Sequence, residues 1–229
     1  MKPDLTRRSR SSELMDAPDS DERKLFRTLD QFTSINRLFS RVRGPLKRIL
    51  FPLLSPDKET HLLDLGAGGC DIPVWLLKEA NKAGLKLRIT AIDSDPRVVR
   101  YAIRHYGEVE GLRILEANAL LLDPLAPFDF VFGNHFLHHL TDPQIRDLLQ
   151  QVDRLAAKGY LFSDLRRSRF SYQAFRWVSL IYRDSFASED GLISICKGFT
   201  PDELKAFAPN ADCKIQTQLP GRLLLSRSK

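Results

Sequence analysis

The run His61-Leu62-Leu63-Asp64-Leu65-Gly66-Ala67-Gly68-Gly69-Cys70-Asp71 constrains this chain most, because an apolar strand passes through a glycine turn straight into a helix. Glycines at 66 and 68 let backbone approach a bound molecule where a side chain would clash. The next residues, Ile72-Pro73-Val74-Trp75-Leu76-Leu77, predict a helix with proline in its first turn. A second strand, Leu87–Ile92, ends in Asp93, from which a carboxylate can take both hydroxyls of a ribose. A dinucleotide would need a third glycine at the helix start, and Asp71 stands there instead, where its charge repels a pyrophosphate. The spacing therefore predicts a nucleoside site without a pyrophosphate.

Strands alternate with helices from His61 to Ser163, which predicts right-handed crossovers and a parallel sheet. The predicted strands are 61–65, 87–92, 112–116, 128–134 and 158–163. A helix opens at Thr141-Asp142-Pro143 and runs from Ile145 to Leu155. Near the end, Cys213–Leu219 and Arg222–Ser226 flank Pro220-Gly221 and read as an antiparallel hairpin.

The pattern Asp64-x-Gly66-x-Gly68, with Asp93 at the next strand end, resembles class I S-adenosylmethionine-dependent methyltransferases of the bacterial small-molecule type, over about 62–165. The resemblance implies an α/β Rossmann-like methyltransferase fold, a mostly parallel seven-stranded sheet with helices on both faces and a C-terminal antiparallel hairpin. It implies S-adenosyl-L-methionine as cofactor and S-adenosyl-L-homocysteine as product. Carried over by position, Asp64, Gly66, Ala67 and Gly68 hold the methionyl part. Asp93 with Ser94 holds the ribose, Asn118-Ala119 reads the adenine, and Asn134 closes the fourth strand end beside the transferable methyl group. The family often has glycine where this chain has Cys70, and usually aspartate where it has Asn118, whose carbonyl still offers an acceptor to an adenine amino group. Glu13-Leu14-Met15-Asp16 with Ile35-Asn36-Arg37 resembles the start of some members near polyketide-type pathways, that is, secondary metabolism.

Strand four leads into His135-Phe136-Leu137-His138-His139-Leu140, where three of the chain's five histidines fall in five residues. A helical turn here would put all three on one face. Methyl transfer to a hydroxyl needs a group that removes a proton as the bond forms, and imidazole titrates near neutrality. His138 is the expected base, with His135 and His139 orienting the acceptor or shaping its pocket; the alternative is that all three are satisfied core residues. No carboxylate in sequence register accompanies the histidines, so no metal site is read.

Before the first strand, Leu25, Leu29, Phe32, Ile35, Leu38, Phe39 and Val42 recur at helical spacing, and a second helix follows through Leu46, Ile49, Leu50 and Leu53-Leu54. The expected organisation is a poorly ordered polar tail over 1–22 and a single methyltransferase domain over 23–229. That domain has a helical cap at 23–56 and a lid insertion at 166–197, the latter dense in Phe170, Tyr172, Phe175, Trp177, Ile181 and Tyr182. At 229 residues, 43% hydrophobic and 28% charged, the chain suits one globular domain. It has no run of some eighteen apolar residues and no apolar segment near its start, so the expectation is a cytoplasmic protein. Cys70, Cys196 and Cys213 lack metal or disulfide spacing and read as reduced thiols.

Absences narrow the acceptor. Gly133-Asn134-His135-Phe136 is not the Asn/Asp-Pro-Pro-aromatic sequence of enzymes that methylate base amines, and no cysteine sits beside a proline as a pyrimidine-attacking thiolate would. Oxygen, activated carbon or a small amine remain, and a phenolic, polyketide- or quinone-like hydroxyl is the expectation. The net charge of +6, with Arg166-Arg167-Ser168-Arg169 and with Arg37, Arg41, Arg43, Lys47 and Arg48, keeps an RNA methyltransferase as the first rival, although nucleic acid is not the expected partner. An anionic substrate, an acyl-carrier protein or a membrane surface would also suit it. A non-catalytic cofactor-binding subunit is the second rival.

Overall fold

The computed structural model describes residues 3–36, 41–122 and 128–229. Arg37, Leu38 and Phe39, assigned to the first helix by periodicity, lie outside the described residues, as does the side chain of Ile35. Seven strands form one sheet in the order β3-β2-β1-β4-β5-β7-β6: β1 (Thr60–Leu65), β2 (Leu87–Asp93), β3 (Leu112–Glu116), β4 (Phe128–Asn134), β5 (Ala156–Leu165), β6 (Lys214–Gln218) and β7 (Arg222–Ser228). The first five are parallel, and β7 runs antiparallel between β5 and β6. The expected fold class is the observed one, and the predicted strands agree with the observed ones to within two residues at each end.

Central strands are apolar almost throughout because both faces are covered. Leu63 and Leu65 of β1, Val131 of β4, Tyr160 and Phe162 of β5, and Leu223 and Leu225 of β7 point to one face. There they meet α5 (Asp142–Leu155) and α8 (Pro201–Ala206). The alternate residues Leu62, Phe130, Phe132, Leu161 and Leu224 point to the other face, against α2 (Arg43–Leu50) and α3 (Asp71–Lys82). Each fully buried Leu or Phe in these layers contributes about 1.5–3 kcal/mol. The start of α5 is fixed by Thr141, whose backbone N–H donates to Gln144 Oε1 at 2.9 Å, reciprocal capping that the sequence signalled with Thr-Asp-Pro.

The strand order reverses between β1 and β4. Their carboxyl ends therefore diverge and open a crevice, the usual ligand position of an open α/β sheet. Two elements roof it. One is α1 (Glu22–Ile35), capped by Asp21, which accepts the N–H groups of Arg23 and Lys24. The other is the segment before α1.

That segment was expected to be poorly ordered because it is polar; its described residues, 3–21, are instead held by polar contacts. Asp190 of α7 (Ala187–Lys197) accepts the N–H groups of Leu14 at 2.7 Å and Met15 at 2.9 Å. Arg8 donates to Asp142 at 2.6 Å and to the carbonyls of Leu140 and Lys197 at 3.0 Å. Hydrophobic burial is thus replaced by buried charge, which composition does not reveal. The basic runs also divide: Arg167 is buried and donates to Glu203 at 2.6 Å, and Lys47 pairs with Glu79 at 2.8 Å. Among the described residues no helix is long and apolar enough to cross a membrane.

Candidate active site

The glycine turn lies where β1 enters the crevice. Gly66 and Gly68 have φ of +65° and +53°. A methyl group on Gly66 would meet the Phe136 ring at 2.5 Å, whereas one on Gly68 would have nothing within 4 Å and would project into open space. Ala67 is tied down by its N–H, which donates to the Ile92 carbonyl at 3.0 Å. Cys70, at the position of the family's third glycine, keeps the left-handed backbone, with φ +60°. Its side chain turns into the core against Ala91 and Ala102, so the turn keeps its shape and the sulfur stays out of the crevice.

Asp93 joins the turn to the second strand end. Its Oδ2 accepts the Gly68 N–H at 3.0 Å and its Oδ1 accepts the Asp95 N–H at 3.1 Å. Burial pushes the carboxyl groups of Asp64, Asp71 and Asp93 upward, and the crowding of Asp64 by Asp71 and Asp93 adds to it. Three desolvated carboxylates at one strand-end cluster favour a positively charged ligand. Asp71, expected only to repel phosphate, also anchors the roof: it accepts from Asn36 Nδ2 at 3.0 Å and pairs with Arg43 at 3.5 Å. Asn36 in turn accepts from Asn134 Nδ2 at 3.2 Å. Asn118 Oδ1, expected to face an adenine amino group, already accepts the Leu120 N–H at 2.9 Å, so one of its two lone pairs is committed to capping the turn Ala119–Leu121.

The histidine segment departs from the expected helical face. Only Leu137–His139 is helical, as one 3-10 turn, and His135 before it has φ +57°. The imidazoles therefore occupy three different settings. His135 accepts from the buried Arg222 guanidinium through Nε2, and burial with that neighbouring charge drives its pKa well below the ordinary range. It is neutral, with its lone pair engaged. His139 is the most open, 3.2 Å from Asp16.

His138 is buried between two carboxylates. Asp164, at the end of β5, accepts from Nδ1 at 2.7 Å and from the backbone N–H at 3.2 Å. Glu13 Oε1 lies 3.4 Å from Nε2. Desolvation opposes the charged ring, but Asp164 first and Glu13 second outweigh it, and the pKa is pushed up to about 9. The expectation of a base titrating near 6.5 is corrected by these two neighbours. Glu13 itself is held well below the usual carboxylate range by His138, His139 and Lys197, whose ammonium is 3.0 Å away. Glu13, His138 and His139 each offer one ligand atom within 4.8 Å of the others, but the Lys197 ammonium already occupies the Glu13 oxygen.

One cavity of about 720 Å³ joins these parts. Asp64, Gly66, Ala67, Gly68, Asp93, Ser94, Asn118 and Ala119 line one side, and Asn134, His135, His138 and His139 line the other with Glu13, Leu29 and Phe32. Every site residue named from the sequence thus borders the same space. Of the expected lid, Ser194 lines the cavity, whereas no described residue of 170–182 does. Glu13, Asp164, Lys197 and Arg222 were missed. Glu13 lay in a motif set apart by resemblance, while the other three carry no local signal and reach the site only through the fold.

Known proteins share this fold. A family model described as a methyltransferase domain matches residues 62–159. Human N-acetylserotonin methyltransferase in complex with S-adenosylmethionine is similar over 96% of this chain, with a TM-score of 0.65 and 18% identity; this chain spans 61% of that enzyme's length. The plantazolicin methyltransferase BpumL in complex with S-adenosylhomocysteine is similar over 90% of this chain and 95% of its own, with a TM-score of 0.61 and 14% identity. A SAM-dependent methyltransferase from Aquifex aeolicus is similar over 90% and 97%, with a TM-score of 0.60 and 17% identity. The comparison with curated proteins gave no match. Residues 62–159 thus match a methyltransferase-domain family, and the chain as a whole shares the fold of these S-adenosylmethionine-dependent methyltransferases.

Proposed function

We propose that this protein is an enzyme that transfers a methyl group from S-adenosylmethionine to a hydroxyl of a small acceptor. The observation that carries the reading is the single cavity with the glycine turn and Asp93 on one side and an oriented, ionisable histidine on the other. The cofactor fits the cluster chemically, because its sulfonium and ammonium charges answer the three upshifted carboxylates and its bulk suits the open side of Gly68.

When bound, the cofactor supplies a methyl group made electrophilic by the positive sulfur. The chain does the rest. Asp93 would take the ribose hydroxyls with Ser94 beside it, the turn 66–68 would give backbone approach to the methionyl part, and Asp64 and Asp71 would balance its charge. Asn118 and Ala119 would border the adenine, and Asn134 lines the cavity wall. On the acceptor side, Asp164 fixes the His138 ring through Nδ1, leaving Nε2 as the atom that gives up its proton to solvent and then takes one from the acceptor hydroxyl, while the Glu13 carboxylate stabilises the protonated ring. His135, locked by Arg222, and His139 shape the pocket around it.

Labelled cofactor incubated with the protein and a panel of phenols tests the proposal. Label in a product whose free hydroxyl is blocked is the expected result. Tight cofactor binding with no transfer to any small acceptor would favour a binding subunit, and label in a defined RNA nucleotide would favour the nucleic-acid rival.

A further inference from the structure

The segment after β5 leaves a large apolar surface uncovered. In α6 (Arg169–Val178) and the 3-10 turn that follows, Phe170 is 65% exposed, Trp177 74%, Leu180 65% and Ile181 70%. Phe170 and Trp177 stand seven residues apart, two helical turns, so they share one side of α6, and Leu180 and Ile181 extend the surface past its end. The inner side is satisfied: Val178 packs on a buried cluster of Tyr182 and Ala187, which also takes Phe32, a wall residue of the cavity. The outer side has no partner among the described residues.

Its border is basic. Arg169, Arg176 and Arg183 recur every seven residues beside the apolar stripe, all are exposed, and none makes an ion pair among the described residues. Between Leu165 and Ser188 the only acid is Asp184, and it is paired with Arg27 at 3.6 Å. An exposed Trp/Phe/Leu/Ile surface edged by unpaired arginines suits the interface of an anionic bilayer, where rings and aliphatic groups enter the headgroup boundary and guanidinium groups meet phosphates.

The geometry points to α6 and the following turn, residues 169–183, as a docking surface for anionic lipid membranes. The docked face is the outside of the element whose inside packs on the Tyr182 and Ala187 cluster, so the protein sits on the bilayer surface without crossing it.

Co-sedimentation of the full chain with vesicles of phosphatidylcholine and phosphatidylglycerol, against vesicles of phosphatidylcholine alone, tests this. The wild type binds the anionic vesicles, and added salt weakens binding. The double variant F170S/W177S and the triple variant R169Q/R176Q/R183Q each lose at least about tenfold in partitioning. Both keep the wild-type melting temperature, because the replaced side chains are exposed. Trp177 also reports directly: its fluorescence shifts to the blue on binding, while W177F still binds and loses the shift, since the other tryptophan, Trp75, is packed against the α2–α3 cluster with Arg43 over its ring. Absence of wild-type binding, equal binding to neutral vesicles or undiminished binding by either multiple variant would overturn the inference. So would a dimer in solution that F170S/W177S dissolves, or RNA binding through the same residues without vesicle binding.

Discussion

Replacing Glu13 with Gln should move the pH dependence of catalysis in a stated direction. His138 is raised from 6.5 to about 9, a difference of about 3 kcal/mol between its two protonation states. Asp164, at 2.7 Å, supplies the larger share and Glu13, at 3.4 Å, the smaller. Removing the Glu13 charge should therefore lower the His138 pKa by about one unit. If deprotonated His138 is the base, kcat/KM for a phenolic acceptor rises with pH through about 9 in the wild type and through about 8 in Glu13→Gln. At pH 7 the fraction in the base form then grows about tenfold, and a variant lacking a buried active-site charge becomes the faster enzyme. His138→Ala should lose the limb altogether and lower kcat by about 10²–10⁴, with cofactor affinity unchanged. The assay is labelled-methyl transfer across pH 6 to 10. A limb that stays in place in Glu13→Gln, or a wild-type limb near 6.5, would refute the argument that the two carboxylates set the proton affinity of His138. Loss of activity at every pH in Glu13→Gln would mean that Glu13 takes part in the chemistry itself.

Two further outcomes follow from the same contacts. Because the folded His138 pKa lies above its unfolded value, its contribution is full below about pH 6.5 and lost as pH rises through about 9, so the melting temperature should fall from pH 7 to pH 10; a flat profile by calorimetry would contradict the ion-paired cluster. Gly66→Ala forces a methyl group onto the Phe136 ring at a φ of +65°, so it should destabilise by about 1–3 kcal/mol in urea unfolding and weaken cofactor binding; unaltered stability would mean that Phe136 moves aside freely.

The parts of this molecule that were legible in its sequence are those written in local pattern. Leu62-Leu63-Asp64-Leu65-Gly66 carries both the strand and its turn, Thr141-Asp142-Pro143 carries a helix start, and Pro220-Gly221 carries the hairpin, so the fold and the glycine-turn wall of the cavity could be read directly. The settings of the histidines could not. They depend on Asp164 at the end of β5, Arg222 on β7 and Glu13 from the N-terminal segment, groups brought together only by the folded sheet and its roof. Three histidines in five residues border the cavity, but the protonation of His135 and His138 is set by those distant neighbours. The aromatic segment at 170–182 misled for a related reason: density in apolar residues does not tell which side of a helix faces the body, and here Phe170 and Trp177 face outward.

The central claim is that the crevice between β1 and β4 holds S-adenosylmethionine with Asp93 on its ribose. Calorimetric titration with S-adenosylhomocysteine tests it most directly. The account predicts binding at one site in the wild type and at least tenfold weaker binding in Asp93→Ala, since two charge-assisted hydrogen bonds worth about 1.5–3 kcal/mol each are lost. No heat of binding in the wild type, or equal affinity in the variant, would contradict it.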